Sequence, residues 1–336
     1  MATTTNSAAV NKRVIREPDS TNFELTSDVI ASRLHEHIVG RTVIITGISA
    51  NGLGAHAAEV IAKYSPKFLI LASRRVSAIT PIAELIKRTT TNSGVQVVPL
   101  EMDLASQSSV RKAAAAVLKL TTVVDVLINN AGVMMLQEYI TSPEGIESHL
   151  AINHVGHYLF TNLLMPALLK SSQPRVVNVT SAASIASPFR FDDMEFGNGK
   201  EYDPFLAYAH TKTANLLFTL GLARKLGEKG LVAIGVDPGG VHGTGIDRAI
   251  PISIQIERGW RLKDGSWNPE IPYKTPAQAV ASYIIAAFGP DVLDHNGETL
   301  TAGVFDATLA PHAKDPEAAD KLWTVSEKLV GQEFRY

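Results

Sequence analysis

Tyr208-Ala209-His210-Thr211-Lys212 sets a phenol and an ammonium four residues apart, a spacing that brings both onto one face of a helix. A free phenol ionises at about pH 10. A cation beside it favours the phenolate, lowers that value and lets the phenol exchange a proton closer to neutrality. The spacing alone is common by chance, so its surroundings carry the weight. Ser181 follows Asn178-Val179-Thr180 at the end of an apolar run, where its hydroxyl can donate to a carbonyl oxygen next to the phenol. Asn153 lies in the helical stretch before that run and can hold a water linking Lys212 to solvent. Asn153, Ser181, Tyr208 and Lys212 together suit proton transfer at an alcohol or carbonyl oxygen.

A second set of residues suits a dinucleotide. Thr46-Gly47-Ile48-Ser49-Ala50-Asn51-Gly52-Leu53-Gly54 follows a β-branched run and opens a helix, which is where backbone N–H groups receive a pyrophosphate in an open α/β sheet. Gly47, Ser49, Gly52, Leu53 and Gly54 are the candidate contacts; a tight strand-to-helix turn without a ligand would use the same glycines. Arg74-Arg75 comes directly after the second apolar run, where an NAD enzyme carries an acid for the ribose 2′-hydroxyl. Two guanidinium groups pair instead with a 2′-phosphate and point to NADP(H), although either arginine alone also reads as a solvated loop charge. Asp103, with Leu104 beside it, follows the third run and can accept from an adenine amino group. Asn130, Ala131 and Gly132 end the fourth, small enough for a cofactor to lie against the sheet edge. Pro238, Gly239, Val241 and Thr244 follow the sixth, in a turn whose backbone can face a nicotinamide amide.

The elements that must position these groups alternate along the chain. Short apolar runs at Thr42–Thr46, Lys67–Ser73, Val95–Leu100, Asp125–Ile128, Arg175–Thr180, Leu231–Val236 and Glu298–Thr301 read as strands. Helical stretches separate them: Ala55–Tyr64, Ile79–Thr89, Ser108–Leu120, Gly145–Leu169, Tyr208–Leu226 and Thr275–Phe288. Thr26–Val39 reads as a helix before the first strand. Strands apolar on both faces and alternating with helices predict an α/β fold, one doubly wound parallel sheet of about seven strands with helices on both faces. Residues 1–24 read as a flexible leader and 25–336 as a single domain. Two stretches break the rhythm. Ala182–Phe205 is polar and glycine-rich. The segment from about 245 to 275 carries Ile250, Ile252, Ile254, Ile256, Trp260 and Trp267 without a clear period, and reads as a substrate lid, a dimer contact or core.

Composition narrows the functional classes. The 31 basic residues nearly balance the 33 acidic ones, so there is no bulk attraction to nucleic acid or to an anionic membrane. Hydrophobic residues make up 45% of the chain and charged ones 19%, which permits a sizeable core and excludes a disordered chain. With no cysteine, disulfides, iron–sulfur clusters and thiol catalysis fall away, and a reducing, cytoplasmic setting fits. No apolar leader or membrane-spanning run is visible. His35-Glu36-His37 and His154-x-x-His157 lack the spacing and third ligand of a zinc site, so no metal is expected.

In this order, these motifs resemble the short-chain dehydrogenase/reductase family from about Gly40 to the C-terminus. Asn153-His154-Val155-Gly156-His157-Tyr158, Phe191-Asp192-Asp193 and the run Ala207 to Asn215 look like its retinol-dehydrogenase and WW-domain-oxidoreductase-like branch. Ala310 to Pro316 and Lys321-Leu322-Trp323 resemble fungal members. The resemblance implies a Tyr208 general acid/base, a Lys212 that lowers its pKa and holds the nicotinamide ribose, a Ser181 on the carbonyl oxygen and an Asn153 relay. It implies cofactor contacts at Gly47, Leu53, Arg74, Asp103, Asn130, Val241 and Thr244. One departure stands out: the first two loop glycines are 52 − 47, or five, positions apart, one more than in the family's usual loop. That extra residue puts the roles of Ser49, Ala50 and Asn51 in question. The expected activity is reversible, NADP(H)-dependent hydride transfer on a bulky hydrophobic ketone, aldehyde or alcohol, in a pathway of the secondary-metabolite kind, by a monomer or homo-oligomer. A non-redox isomerase or cyclase and a catalytically silent NADP-sensing protein are the alternatives.

Overall fold

Five consecutive buried residues, Thr42 to Thr46, form the central strand β1, and their side chains divide between two cores. The computed structural model describes residues 25–90, 94–305 and 309–336; the expected leader at 1–24 lies outside the described residues. Val43 and Ile45 point into one core, Ile44 into the other. The same division holds for Leu69 and Leu71 against Ile70 in β2 (Phe68–Ser73), as the period of two in a strand requires.

The strands continue with β3 (Gln96–Glu101), β4 (Val126–Asn129), β5 (Arg175–Val179), β6 (Val232–Asp237), β7 (Thr299–Thr301) and β8 (Val304–Phe305). Their order across the sheet is β3-β2-β1-β4-β5-β6-β7-β8. All neighbours pair in parallel except β7 and β8. Winding therefore reverses between β1 and β4, the place where doubly wound sheets open a crevice at their carboxyl edge. The fold is the expected Rossmann-type α/β architecture with one strand more than expected. The two-residue β8 is too short to leave a period in the sequence.

One face is covered by α1 (Ser27–Arg33), α3 (Leu53–Ala62), α4 (Val76–Thr89) and α9 (Pro276–Phe288). The other is covered by α5 (Gln107–Leu120), α6 (148–168), α7 (Pro204–Leu226) and α10 (Pro316–Val330), with Ala319, Leu322 and Trp323 of α10 in that core. The single helix expected over Thr26–Val39 breaks at Leu34 into α1 and α2 (His35–Ile38). Helix α7 starts four residues before Tyr208, because Asp203 caps it by accepting from Leu206 N–H at 2.7 Å and Pro204 fills its first turn. Between 245 and 275 the chain is less irregular than expected: it forms α8 (Ile252–Glu257) and a bridged turn joining Arg261 to Trp267. No described helix is long and apolar enough to cross a membrane.

Helix α6 opens with one α-helical turn and then passes through a π-helical turn at Ala151–Val155 before resuming at Gly156. At Gly156 it comes so close to Leu104 that an added Cβ would run into the Leu104 carbonyl oxygen and lie 3.0 Å from its Cβ. The carbonyl belongs to the backbone and the Cβ is fixed directly to it in a buried residue, so neither can swing aside. Gly156→Ala should therefore cost about 1–3 kcal/mol of stability, the usual range for overpacking, read as a lower urea midpoint with an unchanged slope.

Candidate active site

Lys212 projects from α7 to the end of β5, where its Nζ donates to the Val179 carbonyl at 3.0 Å. It is 2% exposed, and burial pulls its pKa down to about 8 against the raising pull of the Asp237 carboxylate. Tyr208, one turn earlier, is also buried. The four-residue spacing predicts a phenol lowered by its lysine; the packing around Tyr208 gives the opposite sign. Burial raises the Tyr208 pKa most, the Ser181 hydrogen bond lowers it, and Asp237 raises it further. The ammonium lies 5.5 Å from the centre of the Tyr208 ring and is turned to a backbone carbonyl, so desolvation wins. Ser181 stands at the start of the short helical turn Ala182–Ala186, its Oγ accepting from Ala183 N–H at 3.2 Å.

Asn153 sits within the π-helical turn, a local irregularity that often marks functional sites. Its Oδ1 accepts from Val133 N–H at 2.8 Å, and its Nδ2 donates to the Val133 carbonyl and the Thr211 hydroxyl, both at 3.0 Å. Its backbone carbonyl accepts from His157 Nδ1 at 3.1 Å. A Cβ placed on Gly132 would lie 3.4 Å from Asn153 Oδ1 and 3.7 Å from Lys212 Nζ, so Asn153, Gly132 and Lys212 meet at one point. The four residues singled out for proton chemistry thus converge at the carboxyl edge of the sheet.

The glycine loop is built for close approach. Gly47 has φ +79°, and a Cβ there would come within 2.5 Å of Ala131 Cα; a Cβ on Gly54 would lie 2.6 Å from Asn130 Nδ2. Gly52 is the N-cap of α3, and its N–H closes a turn on the Ser49 carbonyl at 3.0 Å. The extra residue of the loop is accommodated outward: Ala50 and Asn51 are exposed, with Asn51 in the left-handed region at φ +61°. Arg74 and Arg75 stand exposed just past β2, and among the described residues neither makes an ion pair. Asp103 is half-buried past β3 and accepts from Ala105 N–H at 3.0 Å, while the Leu104 side chain is in the core. Asn130 engages the protein with both ends of its side chain: Nδ2 donates to the Thr46 carbonyl at 2.7 Å, and Oδ1 accepts from Tyr283 at 3.0 Å. Pro238, Gly239, Val241 and Thr244 rim the crevice past β6, all half-buried.

Sequence reasoning missed several supports. The Thr46 hydroxyl accepts from the N–H groups of Asn130 and Ala131, each at 3.0 Å, and meets His157 Nε2 at 2.9 Å. Lys274 Nζ lies 2.9 Å from where a Gly239 Cβ would be. Nothing in the local sequence of Thr46, His157, Tyr283 or Lys274 announces these roles, because each partner is distant in the chain. His154 bonds Ser326 at 2.7 Å, so His154 and His157 are both built into the packing around α6. Among the described residues no three His, Cys, Asp or Glu gather as a metal site.

Apolar side chains surround the phenol. Met135 and Ile250 pack with Tyr208, flanked by Met134, Ala183, Phe205, Ile254 and Trp260. Of the isoleucines in the 245–275 segment, Ile250 and Ile254 thus face the site, whereas Ile252 is 56% exposed. A cleft of about 330 Å³ leads off beside Met135, Phe205 and Ile254 toward a polar rim at Gln137, Asp203, Glu257 and Arg258.

Residues 41–192 match the family model described as short chain dehydrogenase. Retinol dehydrogenase 13 of Homo sapiens is 34% identical over 296 residues, which cover 88% of this chain and 86% of that protein. A short-chain dehydrogenase/reductase of Penicillium rubens, prx1, is 38% identical over 246 residues, 69% of each chain. The crystal structure of an uncharacterized protein from Mycobacterium paratuberculosis superposes with a TM-score of 0.67 at 30% identity, covering 89% of this chain and 96% of that one.

The buried lysine makes stability depend on pH. The unfolded chain keeps the lysine proton up to about pH 10.5, and the folded chain releases it from about pH 8. Between these values the unfolded state binds more protons, so this group's contribution rises with pH, by roughly 1 kcal/mol per unit. Urea unfolding of the wild type and of Lys212→Met at about pH 7 and pH 9.5 should show the wild type gaining on the variant at the higher value.

Proposed function

Because the chain belongs to the short-chain dehydrogenase/reductase family, in its retinol-dehydrogenase-like branch, we propose that it is an NADP(H)-dependent oxidoreductase acting on a hydrophobic ketone, aldehyde or alcohol. The observation that carries this reading is the convergence of the Tyr208 phenol, the Ser181 hydroxyl and the buried Lys212 ammonium beneath an apolar wall at the sheet's carboxyl edge.

The residues fit the cofactor. Close approach of Gly47 to Ala131 and of Gly54 to Asn130 leaves no room for side chains at these two positions, so the backbone at the head of α3 stands open beside the Ser49 hydroxyl, as a pyrophosphate on helix N–H groups requires. Arg74 and Arg75 would take the 2′-phosphate, Asp103 the adenine, and Ala131 and Gly132 would floor the nicotinamide half. Val241 and Thr244 would meet the carboxamide, and the Lys212 ammonium the ribose hydroxyls. Once bound, the nicotinamide ring supplies or takes up the hydride. Every other task falls to this chain. Ser181 and Tyr208 donate to the substrate oxygen, which orients the carbon and stabilises charge as it builds on that oxygen. In reduction Tyr208 releases its proton to that oxygen, and in oxidation it takes the proton back. Met134, Met135, Ile250 and Ile254 keep water from the reacting carbon and select an apolar substrate. Residues 25–336 are read as one domain, with 245–275 as the lid.

Two variants test this. Tyr208→Phe should abolish turnover, followed through NADPH absorbance with hydrophobic carbonyls, while NADPH still binds as shown by its fluorescence; activity within a few-fold of wild type sinks the assignment. Arg74→Ala combined with Arg75→Ala should weaken NADPH binding by roughly 10- to 100-fold, the worth of lost charge-assisted phosphate bonds, and leave NADH nearly unchanged. Equal losses for both coenzymes would place the 2′-phosphate elsewhere.

A further inference from the structure

Met135 forms the wall against Tyr208 from an unusual backbone. It is buried, not glycine, and stands at φ +49° in the left-handed region. Such a conformation persists only where neighbours hold it. Its own carbonyl accepts from Gln137 Nε2 at 2.7 Å. The next residue, Leu136, is held at both of its backbone groups. Its N–H donates to His149 Nε2 at 3.1 Å, and its carbonyl accepts from the Tyr202 hydroxyl at 2.9 Å.

The protonation pattern of this grip follows from its geometry. Accepting at Nε2 requires a lone pair there, so His149 is neutral with its proton on Nδ1. That proton points to Glu147 Oε1 at 2.8 Å. Glu147 and His149 are both fully buried. The other carboxylate oxygen accepts from Leu150 N–H at 2.9 Å and caps the first turn of α6. The His149 ring stands edge-on to the Tyr208 ring, with centroids 6.4 Å apart. A carboxylate and an imidazole placed in a core are costly unless fully bonded, and here they bond each other, the N–H groups of Leu136 and Leu150 and, at His149 Nδ1, the Tyr202 hydroxyl at 3.3 Å.

We propose that Glu147, His149 and Tyr202 are positioning residues that fix the Met134–Met135 wall and thereby set the bulk of the carbonyl or alcohol the site accepts. This rests on the reading of Tyr208 as the acid/base. None of the three residues touches the reacting atoms. Glu147 selects the tautomer of His149, His149 and Tyr202 lock Leu136, and Leu136 holds the strained Met135 against the phenol.

The test is substrate discrimination in full-length protein. A series of hydrophobic ketones of increasing branching is reduced by wild type, His149→Leu, His149→Gln and Tyr202→Phe, with KM, kcat and NADPH affinity measured for each. His149→Leu should raise KM for the preferred ketone about tenfold, the effect of orphaning a buried N–H, and should flatten the kcat/KM ratio between slender and branched ketones. NADPH affinity should stay within twofold. His149→Gln, which places an amide oxygen near the Nε2 position, should recover most of the discrimination. Tyr202→Phe removes one bond to Leu136 and should shift the ratio in the same direction, which keeps the test open if His149→Leu does not fold. Unchanged ratios in folded His149→Leu, or in Tyr202→Phe if the former does not fold, overturn the proposal, as does a failure of His149→Gln to recover them. Wild type that turns over no member of the series overturns the functional reading, and this assignment with it; active wild type with unmoved ratios overturns this assignment alone.

Discussion

The carbonyl of Val179, at the end of β5, holds the site together. It accepts from Lys212 Nζ and from Asn215 Nδ2, each at 3.0 Å, both from α7. Thr180 returns a bond to the Lys212 carbonyl at 2.9 Å, and the Thr213 hydroxyl bonds the carbonyls of Ser184 and Ser187. Helix α7 is therefore tied by side chains to the exact stretch of backbone that carries Ser181. A buried ammonium is expensive, and here the geometry leaves it a carbonyl and a carboxylate field in place of water. If that tie were loosened, Tyr208 and Ser181 would lose their common origin, because they come from different elements and meet only through it.

Against this fixed edge, small residues set how near anything else can come. Gly47 faces Ala131 across the β1–β4 crevice, and Gly156 lets α6 rest on Leu104 beneath it. The first clears a nucleotide path at the switch point, and the second brings the π-helical turn with Asn153 up to Val133 and Lys212. Tyr283, from α9 on the opposite face, braces the same crevice through its bond to Asn130 past β4. Both helical layers thus contribute to a site that the sheet alone would leave open.

Much of this was legible in the sequence. The alternating runs show the sheet and its helices because burial on both faces leaves uninterrupted apolar strands. Tyr208, Lys212 and Ser181 were readable because a helix and a strand end fix their spacing locally. What failed was whatever depends on distant partners or on solvent. β8 is too short for a period, and the break at Leu34 has no proline or glycine to announce it. The packing of Leu104 against Gly156, some fifty positions on, is announced by neither local sequence. The grip on Leu136 draws on residues 149 and 202, which no motif connects. The sign of the Tyr208 shift could not be read either, since spacing reports a neighbouring cation and says nothing of desolvation.

That sign carries a consequence for proton flow. Asp237 raises the pKa of both Tyr208 and Lys212, so it favours the state in which the phenol is neutral and the ammonium charged. In the proposed reaction, release of the Tyr208 proton to a substrate oxygen would add negative charge to a buried cluster, which favours prompt return of a proton. Tyr208 is bonded to Ser181, a poor acid. Lys212, weakened to about 8 by the same burial, is the cation of the cluster closest to neutrality and adjoins both Gly132 and Asn153 at the mouth of the π-helical turn. In the proposed reaction, burial would keep the phenol protonated until a substrate oxygen draws on it, and the weakened Lys212 ammonium would be a group able to return the proton.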